Sequence, residues 1–122
     1  GELVVAVRVP FDDAWTSACE KMRIRGSIDF PLAGVAVALR RDGANIGGLR
    51  IACTGVASRP FAVDGLDVIA GKPFDAAAQT IVAECVDLAN RSMKTTLVDA
   101  LFRRNVTPVL ARRLAQRLWN GA

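Results

Sequence analysis

The side-chain period changes once along this chain, and that change limits what it can fold into. Between Leu3 and Thr54 several runs alternate with a period of two, whereas from Asp75 onward the apolar residues step by three and four. A period of two sends successive side chains to opposite faces of a strand, and a step of three or four keeps them on one face of a helix. Strands come first and helices afterwards. That order predicts an α+β fold: an antiparallel sheet from the N-terminal half, packed against about three C-terminal helices in a two-layer sandwich.

Four runs carry the strand pattern. Leu3, Val5 and Val7 alternate with Val4, Ala6 and Arg8, and Val9-Pro10 closes the first. Trp15 to Arg23 forms the second, with Trp15, Ser17, Cys19, Lys21 and Arg23 on one face. Val35, Val37 and Leu39 alternate with Ala36, Ala38 and Arg40, and Asp42-Gly43 is a turn signal. Ile46 to Thr54 returns, with Leu49, Ile51 and Cys53 on one face and Arg50, Ala52 and Thr54 on the other. The small alanines of that second face would let another layer approach closely. Gly55-Val56-Ala57 either ends the pair or continues it through a bulge.

The helical half starts with a short helix from Gly65 to Ala70, capped by Asp64 and stopped by Gly71. Asp75 caps a longer one whose apolar stripe reads Ala78, Ile81, Val82, Cys85, Leu88, Ala89. Thr96-Leu97-Val98-Asp99 has capping-box spacing for a last helix, along which Val98, Phe102, Val106, Leu110, Leu114 and Leu118 recur every four residues. A strict step of four drifts about 40° per repeat on a helix of 3.6 residues per turn, so something must reset the stripe. Thr107-Pro108 is the candidate: the helix kinks there, or Thr107 caps a new one with Pro108 in its first turn.

Composition bounds the chemistry. A length of 122 residues suits one domain, 1–122, that buries roughly two-thirds of its unfolded surface. At 52% hydrophobic residues the chain is too apolar for disorder. The longest uncharged run, Phe30 to Leu39, is too short to span a bilayer. The start at Gly1-Glu2-Leu3 resembles neither a signal peptide nor an initiator methionine, so the chain reads as an excised or processed piece. With no histidine, Ser-His-Asp triads, Cys-His pairs and His-ligated metals are excluded. Cys19, Cys53 and Cys85 form no C-x-x-C pair, which argues against an iron-sulfur cluster or structural zinc held by this chain alone. Three sparse cysteines fit a reducing cytoplasm, where they serve as small core residues.

Three features remain as candidate sites. Gly47-Gly48, Gly55 and Gly71-Lys72-Pro73 match neither a dinucleotide fingerprint nor a P-loop, and turn geometry explains them. Lys21, Arg23 and Arg25 stand on alternate residues and on a strand would point one way. Such a cluster either contacts a phosphate or the edge of an electron-rich cofactor, or is a solvated face or edge. Arg91 to Arg117 holds seven Lys or Arg and one acid, Asp99. This is a nucleic-acid stripe, a docking surface for an acidic protein, or a solvated helix face.

Three strings, in this order and at these separations, resemble the C-terminal domain of the flavin-binding medium subunit of molybdenum hydroxylases, the xanthine dehydrogenase and carbon monoxide dehydrogenase family. Gly1 to Pro10, ending Val7-Arg8-Val9-Pro10, is similar to the family's I-R-V-P strand. Glu20-Lys21-Met22-Arg23-Ile24-Arg25-Gly26-Ser27-Ile28-Asp29-Phe30 resembles its Y-x-K-x-x-R-R-x-x-D run. Arg50-Ile51-Ala52-Cys53-Thr54-Gly55-Val56-Ala57 resembles R-I-A-x-G-G-V-A, Leu66 to Pro73 resembles a short helix ending G-K-P, and Phe102-Arg103-Arg104 resembles Y-R-R. The chain departs from the pattern at Cys19 or Ala18 for the aromatic, Thr54 for a glycine and Ala62 for an arginine.

The resemblance implies a domain of a FAD-binding oxidoreductase subunit in a molybdenum, iron-sulfur and flavin electron-transfer enzyme. It implies FAD in the full-length subunit, held chiefly by a preceding FAD-binding domain, with the molybdenum cofactor and [2Fe-2S] clusters on partner subunits. Of the family's flavin contacts only the lysine falls in this chain, at Lys21; no catalytic or metal-binding residue is implied, and the isolated domain is expected to be inactive and to hold FAD weakly or not at all. A cytoplasmic setting with no membrane and no nucleic acid follows. The alternative is a free-standing basic module that binds an acidic protein or nucleic acid through its final helix.

Overall fold

In the computed structural model, residues 1–26, 28–95 and 98–121 are described. Four antiparallel strands form one sheet in the order β1 (Trp15–Met22), β2 (Ala33–Asp42), β3 (Asn45–Thr54), β4 (Phe61–Ala62). A 3-10 turn, Leu66–Ile69, and two α-helices follow: α1 (Ala76–Ala89) and α2 (Ala100–Trp119). The α+β, sheet-then-helix layout read from the sequence is the one observed.

The β2–β3 hairpin forms where Asp42-Gly43 predicts it, and Gly43 takes the positive φ (58°) that the turn needs. Its register slips between Arg40 and Arg41: Arg40 faces Gly48 while Arg41 faces Ile46. The extra residue, Gly47, lets Ile46 and Leu49 both point inward although they are three apart. The bulge thus sits beside the turn, and at Gly55 (φ 76°) the pairing simply ends.

One face of the sheet is covered. Ala33, Val35, Val37 and Leu39 of β2 and Leu49, Ile51 and Cys53 of β3 are buried beneath it. Helix α2 lies across β1 and β2, and α1 packs on α2 and on the 3-10 turn. Asp75 caps α1 as expected, accepting from the Ala78 amide at 2.9 Å. The stripe of α1 differs from the sequence reading. It runs Ala78, Val82, Val86, flanked by half-buried Ile81, Cys85 and Ala89, and Leu88 is 72% exposed. Leu88 lies about 200° around the helix from Val86, so both cannot face the core.

Helix α2 is a single helix through Pro108, and Thr107 is no cap. Its buried Oγ1 donates to the Arg103 carbonyl at 2.6 Å, one residue before the Arg104 carbonyl that Pro108 leaves without its amide donor. The inward stripe is Arg103, Thr107, Leu110, Leu114, Leu118, and Phe102 is 42% exposed. The step of three from Thr107 to Leu110 supplies the reset that a ladder of fours requires. Asp99 is the cap, accepting from the Leu101 amide at 3.3 Å. The Thr96 capping box lies outside the described residues.

Two further expectations are corrected, and one short strand went unpredicted. The apolar run Leu3 to Val9 is not a strand: among the described residues it has no strand partner, and it is exposed, Val5 at 88%. Both of its alternating faces are largely apolar, and a sheet covered on one side offers no place for such a strand. Asp64 caps nothing, since Gly65 precedes the 3-10 turn at φ 82° with no side-chain bond. Strand β4, two residues long, is too short to leave a periodic signal.

Cross-ties set the layers. Arg104 grips Asp87 through Nε and Nη2, at 2.8 and 3.0 Å, joining α2 to α1. That hydrogen bond holds the Asp87 carboxyl below the usual carboxylate range. Arg117 reaches Glu20 at 3.1 Å, joining α2 to β1.

Candidate functional site

The face of the sheet turned away from α2 has no covering layer among the described residues. Cross-strand register fixes its membership. Lys21 faces Gly34, which faces Thr54; Cys19 faces Ala36, which faces Ala52, which faces Ala62; Ser17 faces Ala38, which faces Arg50; Trp15 faces Arg40, which faces Gly48. The row through Cys19, Ala36, Ala52 and Ala62 therefore carries nothing larger than a thiol. The face forms a floor, and from Trp15 to Lys21 it runs roughly 20 Å at the usual strand rise.

Its two ends differ. At one end the Trp15 ring lies over Gly48, where an added Cβ would sit 2.8 Å from Cη2. The Arg50 and Arg40 guanidinium carbons lie 4.6 and 5.5 Å from the Trp15 ring centroid, a stacked cation–aromatic cluster. Arg40 also donates to the Gly47 carbonyl at 2.7 Å, which braces the bulge. At the other end Lys21, Gly34 and Thr54 sit side by side. A Cβ on Gly34 would come within 2.7 Å of Thr54 Cγ2 and 3.7 Å of Lys21 Cγ. Around them lies an almost wholly apolar concavity of about 320 Å³, with Cys19, Ala36, Ala52 and Pro60 in its lining.

Lys21 is thus exposed on the floor's edge, a single ammonium beside an apolar hollow. Arg23 and Arg25 do not share its strand face, because β1 ends at Met22. They belong to the following loop and join Lys21 around an adjoining, more polar concavity of about 610 Å³. Arg25 approaches Asp29 at 3.8 Å. The three cations are brought together, but by a loop rather than by strand alternation.

The cysteines divide by face. Cys53 is buried on the covered face of the sheet, and burial pushes its thiol up to about 11. Burial and the neighbouring Glu84 push the Cys85 thiol up. Cys19 is exposed on the open floor, two residues from Lys21.

The basic final helix does not form a continuous stripe. Arg103 is buried, Arg104 is held by Asp87 and Arg117 by Glu20. What remains is Arg112 and Arg113, beside Gln79 and Gln116. Among the described residues no helix is long and apolar enough to cross a membrane. The Trp15–Arg40–Arg50 cluster was missed from sequence. The turn at Asp42-Gly43 and the Arg50, Ala52, Thr54 alternation were visible, but the bulge that sets Arg40 against Gly48 was not.

No family model matches the chain. It is 31% identical over 116 residues to the FAD-binding subunit PaoB of an aldehyde oxidoreductase from Escherichia coli strain K12, a match that takes 95% of this chain and 34% of that protein. The chain therefore spans about a third of the length of the curated relative it matches. Its fold is that of a part of carbon monoxide dehydrogenase from Hydrogenophaga pseudoflava, with a TM-score of 0.82, 23% identity, and 90% of this chain covering 38% of that one. Reconstituted carbon monoxide dehydrogenase from Oligotropha carboxidovorans gives 0.82 at 22% identity, over 91% of this chain and 39% of that one. Quinoline 2-oxidoreductase from Pseudomonas putida 86 gives 0.76 at 20% identity, over 89% of this chain and 38% of that one. The resemblance to the FAD subunits of molybdenum hydroxylases is borne out in sequence by the first of these and in fold by the others.

Proposed function

We propose that this chain is a non-catalytic domain of a FAD-binding oxidoreductase subunit, and that the open floor of its sheet lies against the flavin. The observation that carries this reading is the end of the floor: the Lys21 ammonium beside an apolar hollow lined by Gly34, Ala36, Ala52 and Thr54. Small residues on a sheet face fit a planar ring, and a Cβ on Gly34 would crowd the Thr54 methyl, which with the Lys21 stem frames the hollow. When bound, a flavin supplies storage for one or two electrons.

The part played by this chain is electrostatic and steric. Lys21 favours whichever state of the ring carries more negative charge, and the small-residue floor excludes water from that side. No chelating phosphate loop exists in the sequence, so the nucleotide is held by a preceding FAD-binding domain. The whole enzyme would then pair this subunit with iron-sulfur and molybdenum subunits, in the cytoplasm. Burial of Arg103 and the pairing of Arg104 with Asp87 and Arg117 with Glu20 speak against the nucleic-acid alternative.

Lys21→Met in the full-length, FAD-loaded protein tests the role. The flavin midpoint potential should fall by tens of millivolts, since about 30 mV corresponds to ~1.4 kcal/mol for a two-electron couple. Lys21→Arg, which keeps the charge, should restore most of it. An unchanged potential and oxidation rate in Lys21→Met would remove Lys21 from the site.

A further inference from the structure

Arg103 is a buried cation with little to hold it. It is 9% exposed, and its Nε meets no acceptor among the described residues. Its Nη1 reaches the Met93 carbonyl only at 3.4 Å. Burying a guanidinium without a strong acceptor is unfavourable, so the group should bind an acceptor from outside the chain if it can reach one. It can: Arg103 lines a cavity of about 270 Å³, beneath the loop that follows β1 and distinct from the open floor of the sheet.

The cavity wall specifies the acceptor. A guanidinium presents a planar fork of donors that matches a carboxylate. Asp29 stands in the same wall, yet its salt bridge is with Arg25 at 3.8 Å, and none forms with Arg103. A resident carboxylate repels a dianion more than a monoanion, which disfavours phosphate. Ile24, Pro31 and Leu32 make the rest apolar, and the Phe30 ring stands at the rim, 92% exposed. The volume lies near the lower end of small-molecule pockets, which begin at about 300 Å³.

We propose that this pocket binds a small organic monocarboxylate, its carboxylate paired with Arg103 and its apolar body against Ile24, Leu32 and Phe30. Nothing in this depends on the flavin reading.

Benzoate is the probe. In the full chain labelled with nitrogen-15, the Arg103 Nε–Hε signal, identified by its loss in Arg103→Lys, should shift saturably as benzoate is added. Benzyl alcohol, with the same ring and no charge, and inorganic phosphate should leave it in place. Arg103→Lys should weaken benzoate binding at least tenfold, followed through the Thr95 amide. Phe30→Ala changes only an exposed rim residue, so its fold is secure, and it should weaken binding several-fold. The proposal is overturned if benzoate produces no saturable shift. It is equally overturned if phosphate shifts the signal as strongly, or if Asp29→Asn alone moves it in ligand-free protein, which would reveal an internal Asp29–Arg103 pair.

Discussion

Leu114→Ala should lower the unfolding free energy by about 2–5 kcal/mol, the range for emptying a well-packed leucine site. Leu114 is 0% exposed, midway along the half of α2 that carries Leu110, Ala111, Ala115 and Leu118 onto the core. Its neighbours belong to an extended helix and a four-stranded sheet, which cannot collapse freely into the void. For a domain of this size the melting temperature should drop by ~10 °C or more. Phe102→Ala is the comparator: a larger side chain, but 42% exposed, and its loss should cost less than the Leu114 truncation. Urea denaturation of the two variants checks the order. A Leu114→Ala loss under ~1 kcal/mol, or a reversed order, would mean that α2 does not face the sheet with this stripe.

Gly34→Ala should destabilise the chain by about 1–3 kcal/mol, the usual range for overpacking. The new methyl would lie 2.7 Å from Thr54 Cγ2, and β2 and β3 are hydrogen-bonded neighbours that cannot part to admit it. Thr54→Ser removes the offending methyl, so the double variant should recover most of the loss. The pair should couple strongly, as residues in contact do. In the FAD-loaded full-length protein the single variant should also weaken flavin retention, and the double variant should restore it. Equal destabilisation with threonine or serine at position 54 would show that the close approach of Gly34 to Thr54 is not what the fold depends on.

Much of the architecture was legible because two signals agreed in the strands that formed. Alternation marked β1, β2 and β3, and Asp42-Gly43 marked the hairpin joining two of them. Where the reading failed, apolarity was mistaken for burial. Leu3 to Val9 is largely apolar on both faces, yet no layer among the described residues covers it. Leu88 and Phe102 entered their stripes on hydropathy, while Val86 and Arg103 took the inward positions. An apolar pattern cannot foresee a buried arginine, and that arginine lines the cavity under the loop after β1. The small floor was half visible: the Arg50, Ala52, Thr54 face was seen as a surface another layer could approach. Its far end was not, because Trp15, Arg40 and Gly48 meet only through cross-strand register and a bulge. Lys21 was singled out through family resemblance, since spacing alone grouped it with Arg23 and Arg25 on a strand that stops before them.

Cys19 offers the most direct measurement of what lies on the open floor. It is exposed there, one strand repeat from Lys21, whereas Cys53 is buried with its thiol pushed up to about 11 and should stay inert at neutral pH. Iodoacetamide labelling of the full-length protein, with FAD loaded and with FAD stripped, should be followed residue by residue by mass spectrometry. Cys19 should react readily in the stripped protein and at least tenfold more slowly with FAD present, while Cys85, on α1, should be unaffected. Equal rates at Cys19 in the two forms would mean that the flavin does not rest on this sheet.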